Sequence, residues 1–262
     1  MANHIERKAL INKIKEFRLL DDSFMSRVFD QNIECTELIL HIILDDPQIK
    51  VSSVHTQSEI KNLLGRSVRL DVDARSAKGE PINIEIQRSD RGAGVKRARY
   101  NSSMIDANIL GKGDIYSELP ETYVIFITEN DVMGAGRAVY HADRIIEETG
   151  KPLGDGTHII YVNGAYRDES PIGKLMHDFS CKDPNEMYYR QLAESARYYK
   201  EEQEGVEIMC RIMEDLIDRE KRDMIIKMKK MGKFSSEDIA EITGFTLEEV
   251  ESLKEENIMT VR

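Results

Sequence analysis

Two segments of alternating apolar and polar residues, joined by a short turn, constrain the fold of this chain more than any other feature. They occupy residues 69–87, and Lys78-Gly79 between them predicts the turn of an antiparallel hairpin. A period of two residues is typical of β-strands, because successive side chains point to opposite faces of a sheet. The side chains expected on the apolar face are Leu70, Val72, Ala74, Ile82, Ile84 and Ile86, and those expected on the polar face are Asp71, Asp73, Glu85 and Gln87.

The segments around the hairpin predict an α/β protein. Helical spacing of apolar residues predicts helices over residues 5–19, 36–44 and 94–110, with a further helix start at residues 21–23. Residues 49–54 predict a strand, and the nearly continuous apolar runs 123–128 and 158–162 predict strands buried on both faces. This order of elements is typical of a mixed sheet flanked by helices.

Composition divides the chain into three segments. We expect a first domain over residues 1–184, a long methionine-rich helical segment over residues 185–231, and a small helix-turn-helix-like tail over residues 232–262. The methionines recur at helical spacing, which favours a core-facing stripe or self-association. The long helix is therefore also the candidate contact of a homo-oligomer.

The tail resembles a DNA-binding helix-turn-helix in pattern but not in charge. Gly244 marks its turn, and Thr246 with Glu249 predicts a capping box. Residues 201–262 contain 17 acids and 10 bases, a balance that repels phosphate. The expected core of the tail is Ile239, Ile242, Phe245, Leu247, Val250 and Leu253, and the acids of its second helix are Glu248, Glu249, Glu251, Glu255 and Glu256. A packing or protein-contact module is favoured over a reader of the major groove.

Overall composition excludes several classes of protein. The 262 residues have a formal net charge of −11, which argues against nucleic-acid binding over the whole surface. Three widely spaced cysteines indicate neither a disulfide framework nor a zinc site, which favours a reducing compartment. The N-terminus lacks the apolar run of a signal peptide, and no stretch is long and apolar enough for a membrane span. We expect a cytoplasmic protein without membrane contact.

The hairpin carries the residues that predict chemistry. Asp71 and Glu85 lie on one face of paired strands and are the best pair of ligands for Mg²⁺ or Mn²⁺, with Asp73 as a substitute. The Ile86 carbonyl is a further ligand candidate. Such an ion polarises a phosphodiester and lowers the pKa of a bound water. The side chains expected to hold a DNA backbone beside it are Arg88, Arg91, Lys96, Arg97 and Arg99. The alternative is an ordinary hairpin whose acids face water, and alternation alone favours it.

A resemblance to a known family changes that balance. Asp71, followed after the turn by Glu85-Ile86-Gln87 and preceded by Glu37 in a predicted helix, resembles the PD-(D/E)XK nuclease superfamily. More narrowly, the chain is similar to the PD-(D/E)XK family transposases related to the Rpn recombination-promoting nucleases of bacteria. The similarity extends over nearly the whole chain, through GRSVRLDVDARSAKGEPINIEIQ, KRARYNSSMIDANIL, LPETYVIFITENDVMG, HIIYVNGAYRDES, GKLMHDF and EEQEGVEIMCRIMEDL.

This resemblance implies a restriction-endonuclease-like core with a helical C-terminal extension, acting as a metal-dependent DNA endonuclease of the transposase or recombination-promoting type. It implies that Asp71 and Glu85 bind Mg²⁺ or Mn²⁺ and that Glu37 adds a third acid. Gln87 stands where the superfamily has lysine, as in the Rpn-like branch. A neutral amide hydrogen-bonds a water but neither takes its proton nor supplies a positive charge.

Two other functions stay open at this stage. One is a weakly active or inactive nuclease-fold protein that binds DNA or a protein partner without cutting. The other is a transcriptional regulator that uses the tail, which the acidic second helix disfavours. The adjacent pairs His141 with Asp143 and His177 with Asp178 are not expected to be catalytic, because no histidine cluster accompanies them.

Overall fold

A computed structural model describes residues 2–62 and 65–253, and their side chains from residue 7 onward. The helices are α1 (Ala2–Lys15), α2 (Asp22–Phe29), α3 (Ile33–Ile43), α4 (Val95–Ile109), α5 (Pro171–Ser180), α6 (Arg190–Glu201), α7 (Gln203–Met231), α8 (Ser236–Thr243) and α9 (Leu247–Ser252). The strands are β1 (Val51–Ile60), β2 (Val68–Ser76), β3 (Pro81–Gln87), β4 (Thr122–Thr128), β5 (Val139–Ala142), β6 (Ile145–Ile146), β7 (Lys151–Pro152) and β8 (Thr157–Asn163). The predicted helices and strands are all present, while α5 and β5 to β7 were not predicted.

Six strands form one mixed sheet in the order β1-β2-β3-β4-β8-β5. The first three strands pair antiparallel, β3, β4 and β8 run parallel, and β5 closes the edge antiparallel to β8. The parallel strands therefore end together at one edge of the sheet, beyond Gln87, Thr128 and Asn163. This sheet, its flanking helices and the helical C-terminal region confirm the predicted α/β, restriction-endonuclease-like fold.

Helices cover both faces of the sheet and enclose two apolar cores. The first core packs residues of α2, α3, α5, α6 and α7 against strand residues such as Val72 and Ile125. The second core packs α4 against the other face, where Val124 and Phe126 lie. Neighbours in β4 point to opposite faces and are buried in different cores. This confirms the expectation that the apolar run of β4 is buried on both sides.

The alternation of β2 is interrupted at Asp71. Val72 lies in the first core, whereas Leu70 lies in the second. In an uninterrupted strand both would share one face, so the expectation that Leu70 belongs with Val72 was wrong. Gln57 lies across from Asp71 in the register of β1 and β2, and its φ of 57° is unusual for a residue other than glycine. The backbone irregularity therefore involves both strands at the level of Asp71.

The turn of the hairpin is confirmed. Gly79 has a φ of 88°, a conformation that a residue without a β-carbon adopts easily. Its N–H donates to the Ser76 carbonyl over 2.9 Å, and the Ser76 N–H donates to the Glu80 carbonyl over 2.9 Å. These bonds close the loop and set the register in which Val72 faces Ile84.

The methionine-rich segment is two helices rather than one. α6 ends at Glu201 and α7 begins at Gln203. The two helices approach closely at Gly205, where a β-carbon would lie 2.1 Å from the Tyr198 carbonyl oxygen. Met209 and Met213 lie in the first core with residues of the sheet. Packing thus continues past the expected boundary at residue 184, and these methionines are buried within the chain itself.

The tail has a small core of its own. Ile225 from α7 packs with Ile239 and Val250 from the two tail helices. Ile242 and Leu247, expected in this core, are 57% and 40% exposed, because they lie on the outer faces of their short helices. The predicted capping box is confirmed, since Thr246 and Glu249 each bond the other's backbone N–H. The predicted helix residues Glu255 and Glu256 lie outside the described residues.

Two expectations from composition concern cysteine pairing and membrane spans. Cys35, Cys181 and Cys210 are free and buried. Within residues 2–62 and 65–253, no helix combines the length and the apolar content that crossing a membrane requires.

We predict that Gly205→Ala destabilises the protein, because the new methyl group would strike the Tyr198 carbonyl and force α6 and α7 apart. The expected loss is roughly 1–3 kcal/mol of the free energy of unfolding. Gly94→Ala is the control, because a β-carbon at Gly94 meets no atom within 4 Å. Urea unfolding measures both, and equal stability of the two variants would contradict the close helix contact.

Candidate active site

Two buried carboxylates lie where the pairing of β2 with β3 ends. Asp71 is 8% exposed and Glu85 is 0% exposed. Regular pairing runs from Arg75 only as far as Val72. Beyond it, the Ile86 N–H donates to Asp71 Oδ2 over 2.9 Å, and the Asp71 N–H donates to Glu85 Oε1 over 3.4 Å. Buried backbone N–H groups require hydrogen-bond acceptors. The two carboxylates accept from the N–H groups that the strands no longer pair.

Burial raises the proton affinity of both acids. Burial, followed by repulsion from Glu85, raises the pKa of Asp71 to about 7. Burial likewise raises the pKa of Glu85, although the Arg97 guanidinium opposes that increase. The polar face of the hairpin is therefore not the solvated surface that alternation alone favours. It is a negative pocket whose charge the protein offsets only in part.

Gln87 and Arg97 complete the side of this pocket nearest α4. Gln87 Nε2 donates to Asp71 Oδ2 over 3.1 Å, and Gln87 Oε1 accepts from Arg97 Nη1 over 3.3 Å. Arg97 Nη2 lies 2.5 Å from Glu85 Oε2. Arg97, predicted to hold the DNA backbone, instead contacts both an acid and the glutamine of the site.

Two buried asparagine side chains, hydrogen-bonded in series, hold Glu85 in place. Asn83 Nδ2 donates to Glu85 Oε1 over 3.0 Å, and Asn101 Nδ2 donates to Asn83 Oδ1 over 3.3 Å. Both asparagines are almost completely buried. This series links β3 to α4 and fixes one Glu85 oxygen, because an unpaired amide in the interior is costly. Neither residue was predicted from the sequence, since a single asparagine in a strand or helix carries no chemical signature.

Asp22 and Gln57 also belong to this neighbourhood and were missed. The charge of Asp22 contributes to the raised pKa of both Asp71 and Glu85. Gln57 Nε2 donates to Asp22 Oδ1 over 2.8 Å, while its own Oε1 is buried without a hydrogen-bond partner in the described part of the chain. Asp22 was noted only as part of a helix start, because its approach depends on how α2 packs on β1.

Glu37 does not join Asp71 and Glu85, contrary to expectation. Its carboxylate accepts the Val51 N–H over 2.8 Å and faces Lys50 Nζ at 3.3 Å, at the beginning of β1. Asp71 lies across from Gln57, six residues further along β1, which is about 20 Å in an extended strand. The role of Glu37 is to anchor α3 to β1.

Asp73, the expected substitute for Asp71, lies one step away from the pair. It faces Asn83 across the hairpin and lines a separate cavity of 290 Å³. Burial raises its pKa, whereas the charges of Arg75 and His55 oppose that increase. Asn83 stands between Asp73 and Glu85, so the structure favours Asp71 as the partner of Glu85.

The basic residues expected to bind DNA fall into two groups. Arg88 is held in a ring of ion pairs in which it contacts Asp21 at 2.7 Å and Glu129 at 3.5 Å, and Arg18 contacts the same two acids. Its charge is thus offset within the protein. The residues exposed near the carboxyl end of β3 are Arg91, Lys96 and Arg99. Lys96 and Arg99 are three residues apart on α4 and so are neighbours on its surface.

The donor set fits a hard divalent cation. Among the described residues, no group of three or more His, Cys, Asp or Glu side chains converges as a ligand set. Mg²⁺ needs only one or two carboxylates, with water and substrate oxygens completing its shell. Asp71 and Glu85 supply these, and Gln57, whose Oε1 is buried and unpartnered among the described residues, lies across from Asp71 in the strand register. A cation would also offset the charge of Glu85, which adds to burial in raising the pKa of Asp71.

The two histidine–aspartate pairs lie elsewhere. His177 Nδ1 contacts Asp178 at 3.2 Å, but Asp178 also accepts the backbone N–H groups of Tyr188 and Tyr189, each at 2.8 Å. This buried aspartate therefore holds the chain before α6. His141 is exposed on the edge strand β5.

Comparison with known proteins agrees with this geometry. Residues 29–165 match the family model described as PD-(D/E)XK nuclease family transposase. The match includes α3, the hairpin, α4, β4 and β8, and therefore every element that carries Asp71, Glu85, Gln87 and Arg97. No match was found among curated proteins or among solved structures.

We predict that Asp71→Asn stabilises the protein at pH 8 but not near pH 4. Because the pKa of folded Asp71 is about 7 and its ordinary value is 3.8, ionisation costs stability increasingly from about pH 4 to about pH 7 and fully above. A neutral asparagine removes that cost. The expected rise in unfolding temperature at pH 8 is about 2–4 °C for each kcal/mol of that cost.

Thermal unfolding of parent and variant at pH 4, 6 and 8 measures the effect. Asp218→Asn, at an exposed position of α7, is the control and should leave the pH dependence unchanged. Parallel curves for the parent and Asp71→Asn would show that Asp71 carries no such charge penalty.

Proposed function

The chain belongs to the PD-(D/E)XK nuclease family of transposases, and we propose that it is a divalent-metal-dependent DNA endonuclease of the transposase or recombination-promoting type. The observation that carries this proposal is the buried pair of Asp71 and Glu85, whose charge the protein offsets only in part. The pair lies near the shared carboxyl edge of parallel strands, where ligands of open α/β sheets commonly bind.

Asp71 and Glu85 would hold Mg²⁺ or Mn²⁺. Asp22, rather than Glu37, would be the third acid that supports the ion. When bound, such an ion supplies Lewis-acid activation of the phosphodiester and of water, and it offsets negative charge at phosphorus. Asn83 and the Asp71 backbone N–H orient Glu85 Oε1, while the Ile86 N–H orients Asp71 Oδ2. Gln87, already bonded to Asp71, orients water or a phosphate oxygen but accepts no proton.

DNA would approach from the side of the sheet edge where Arg91, Lys96 and Arg99 are exposed. These cations lie just beyond β3 and at the start of α4, the helix whose Arg97 contacts Glu85. Phosphate contacts of this kind position a backbone without selecting a base sequence. Arg88 is not part of this contact surface in the proposal, because Asp21 and Glu129 bind it.

A second candidate function is a nuclease-fold protein that binds DNA or a protein partner without cutting. The observation that favours it is the neutral Gln87 together with the Arg97–Glu85 ion pair, which occupies an oxygen that a metal ligand must present. This candidate requires salt-sensitive DNA binding without metal-dependent cleavage.

We predict that the protein nicks supercoiled plasmid with Mg²⁺ or Mn²⁺ but not with Ca²⁺. Asp71→Ala and Glu85→Ala should each reduce the rate by more than roughly 100-fold, because each removes one of the two carboxylates that would hold the metal ion, and the ion supplies the charge stabilisation of the reacting phosphate. Asp73→Asn is the matched control, since Asp73 lies on the same strand but lines another cavity. It should cut at the parental rate.

Cleavage by Asp71→Ala at the parental rate would disprove the assignment of this site. Absence of cleavage by the folded parent with any metal, accompanied by DNA binding, would favour the second candidate.

We predict that Asp22→Asn weakens Mn²⁺ binding by about 10-fold, as expected for a group that supports metal ligands. Glu37→Gln should leave Mn²⁺ affinity unchanged, because Glu37 contacts Val51 and Lys50 at the other end of β1. Titration calorimetry with Mn²⁺ distinguishes the two acids. The reverse result would restore Glu37 as the third acid and exclude Asp22.

A further inference from the structure

Gln87 leaves the acidic pocket without a positive charge at its own position. A phosphoryl-transfer site has to stabilise negative charge that develops on the phosphate, and a fixed cation is an effective way to do so. A glutamine side chain donates hydrogen bonds but carries no charge. A cation beside Asp71 and Glu85 must therefore come from another residue.

Arg97 reaches that point from α4. Its Nη1 donates to Gln87 Oε1 over 3.3 Å and to the Gly92 carbonyl over 3.1 Å, and its Nη2 lies 2.5 Å from Glu85 Oε2. One guanidinium therefore joins the glutamine, the acid and the loop before α4. The bond to Gln87 directs the amide oxygen toward Arg97 and leaves Gln87 Nε2 facing Asp71.

Two further features accompany this approach of Arg97 to Gln87. A β-carbon at Gly92 would lie 2.0 Å from Gln87 Oε1, so glycine leaves the room in which Gln87 meets Arg97. The Arg97 guanidinium carbon also lies 5.9 Å from the centroid of the Phe126 ring, within range of a cation–π contact.

The guanidinium also keeps donors that no residue of the site uses. Arginine carries five N–H donors, and the contacts to Gln87, Gly92 and Glu85 account for three. No residue within the described ranges 2–62 and 65–253 accepts the Nε–H or the second Nη2–H. The side chain is 38% exposed, so a substrate oxygen can reach it. A role limited to neutralising buried Glu85 requires neither the bond to Gln87 nor this exposure.

We propose that Arg97 is the cationic catalytic residue of this site. It fixes the Gln87 amide and donates its remaining N–H groups to the scissile phosphate, thereby supplying the positive charge that Gln87 lacks. This inference rests on the proposed nuclease function and assigns its charge to a helix rather than to β3.

The decisive experiment moves the charge back to position 87. Arg97→Gln should lower kcat by about 100- to 1,000-fold, the effect of losing one donor to a developing oxyanion, while KM for plasmid changes little. The double variant Arg97→Gln with Gln87→Lys should recover at least about 10-fold of that loss. Lys112→Gln, at an exposed position after α4, is the control for loss of a surface charge.

Two further measurements distinguish the loss of the Arg97 charge from misfolding, and one of them does not depend on enzyme activity. Arg97→Lys keeps a cation near Glu85 but loses the planar fork that bridges to Gln87, so an intermediate kcat is expected. Mn²⁺ binding by titration calorimetry needs no turnover. Arg97→Gln should bind Mn²⁺ several-fold more tightly, because the guanidinium no longer competes for Glu85.

Each outcome decides between the two claims. If the parent cuts and Arg97→Gln cuts within about threefold of it, the nuclease function stands and the role of Arg97 fails. If Arg97→Gln is inactive, the double variant is equally inactive and Mn²⁺ affinity is unchanged, Arg97 is only structural. If Asp71→Ala cuts like the parent, or the folded parent cuts nothing, the proposed function fails and the inference about Arg97 fails with it.

Discussion

The site depends on the place where the hydrogen-bond ladder between β2 and β3 stops. Beyond Val72 the strands no longer pair regularly, and the side chains of Asp71 and Glu85 take the N–H groups of Ile86 and Asp71. Backbone donors in the interior must find acceptors, so the carboxylates are held in place by the fold itself. The same hydrogen bonds lower the free-energy cost of burying the carboxylate charges but do not remove it. The cost that remains is reflected in the raised pKa of Asp71. A site that needs two ionised carboxylates side by side is therefore intrinsically destabilising, as functional sites often are.

The position of α4 follows from this constraint. Glu85 is fully buried and requires a positive partner, which Arg97 provides, and its other oxygen requires the amide of Asn83. Asn83 is held in turn by Asn101, one helical turn beyond Arg97. Apolar packing of α4 over Phe126 in the second core fixes the height of the helix above the sheet. The polar contacts and the apolar core thus specify one arrangement together, which is the consistency expected of a well-determined native state.

The parts of this arrangement that sequence predicts are those encoded locally. The hairpin, its Gly79 turn, α4 and the buried strand β4 follow from the spacing of neighbouring residues, and the Asp71–Glu85 pairing follows from the hairpin register. Contacts between distant segments were missed or misplaced. Glu37 and Asp22 both lie near the start of a predicted helix, and only the packing of α2 and α3 on β1 separates them. The face of Leu70 changed because of an irregularity at Asp71 and Gln57 that alternation does not reveal. The partners of Arg88 come from a loop and from the end of β4, which no local pattern places beside it.

The distribution of charge is compatible with the proposed action of this acidic chain on DNA. The net charge of −11 repels DNA at long range, but this repulsion decays over about 8–10 Å at physiological ionic strength. At contact, the order of charges in the site matters: Asp71 and Glu85 are buried, the guanidinium of Arg97 lies beside Glu85, and Arg91, Lys96 and Arg99 are exposed close to Arg97 in the sequence. A lysine at position 87 would place its charge on the strand, independent of the helix. Carrying that charge on α4 makes the electrostatics of the site depend on how α4 sits on the sheet. Packing in the second core therefore influences the chemistry as well as the stability of the fold.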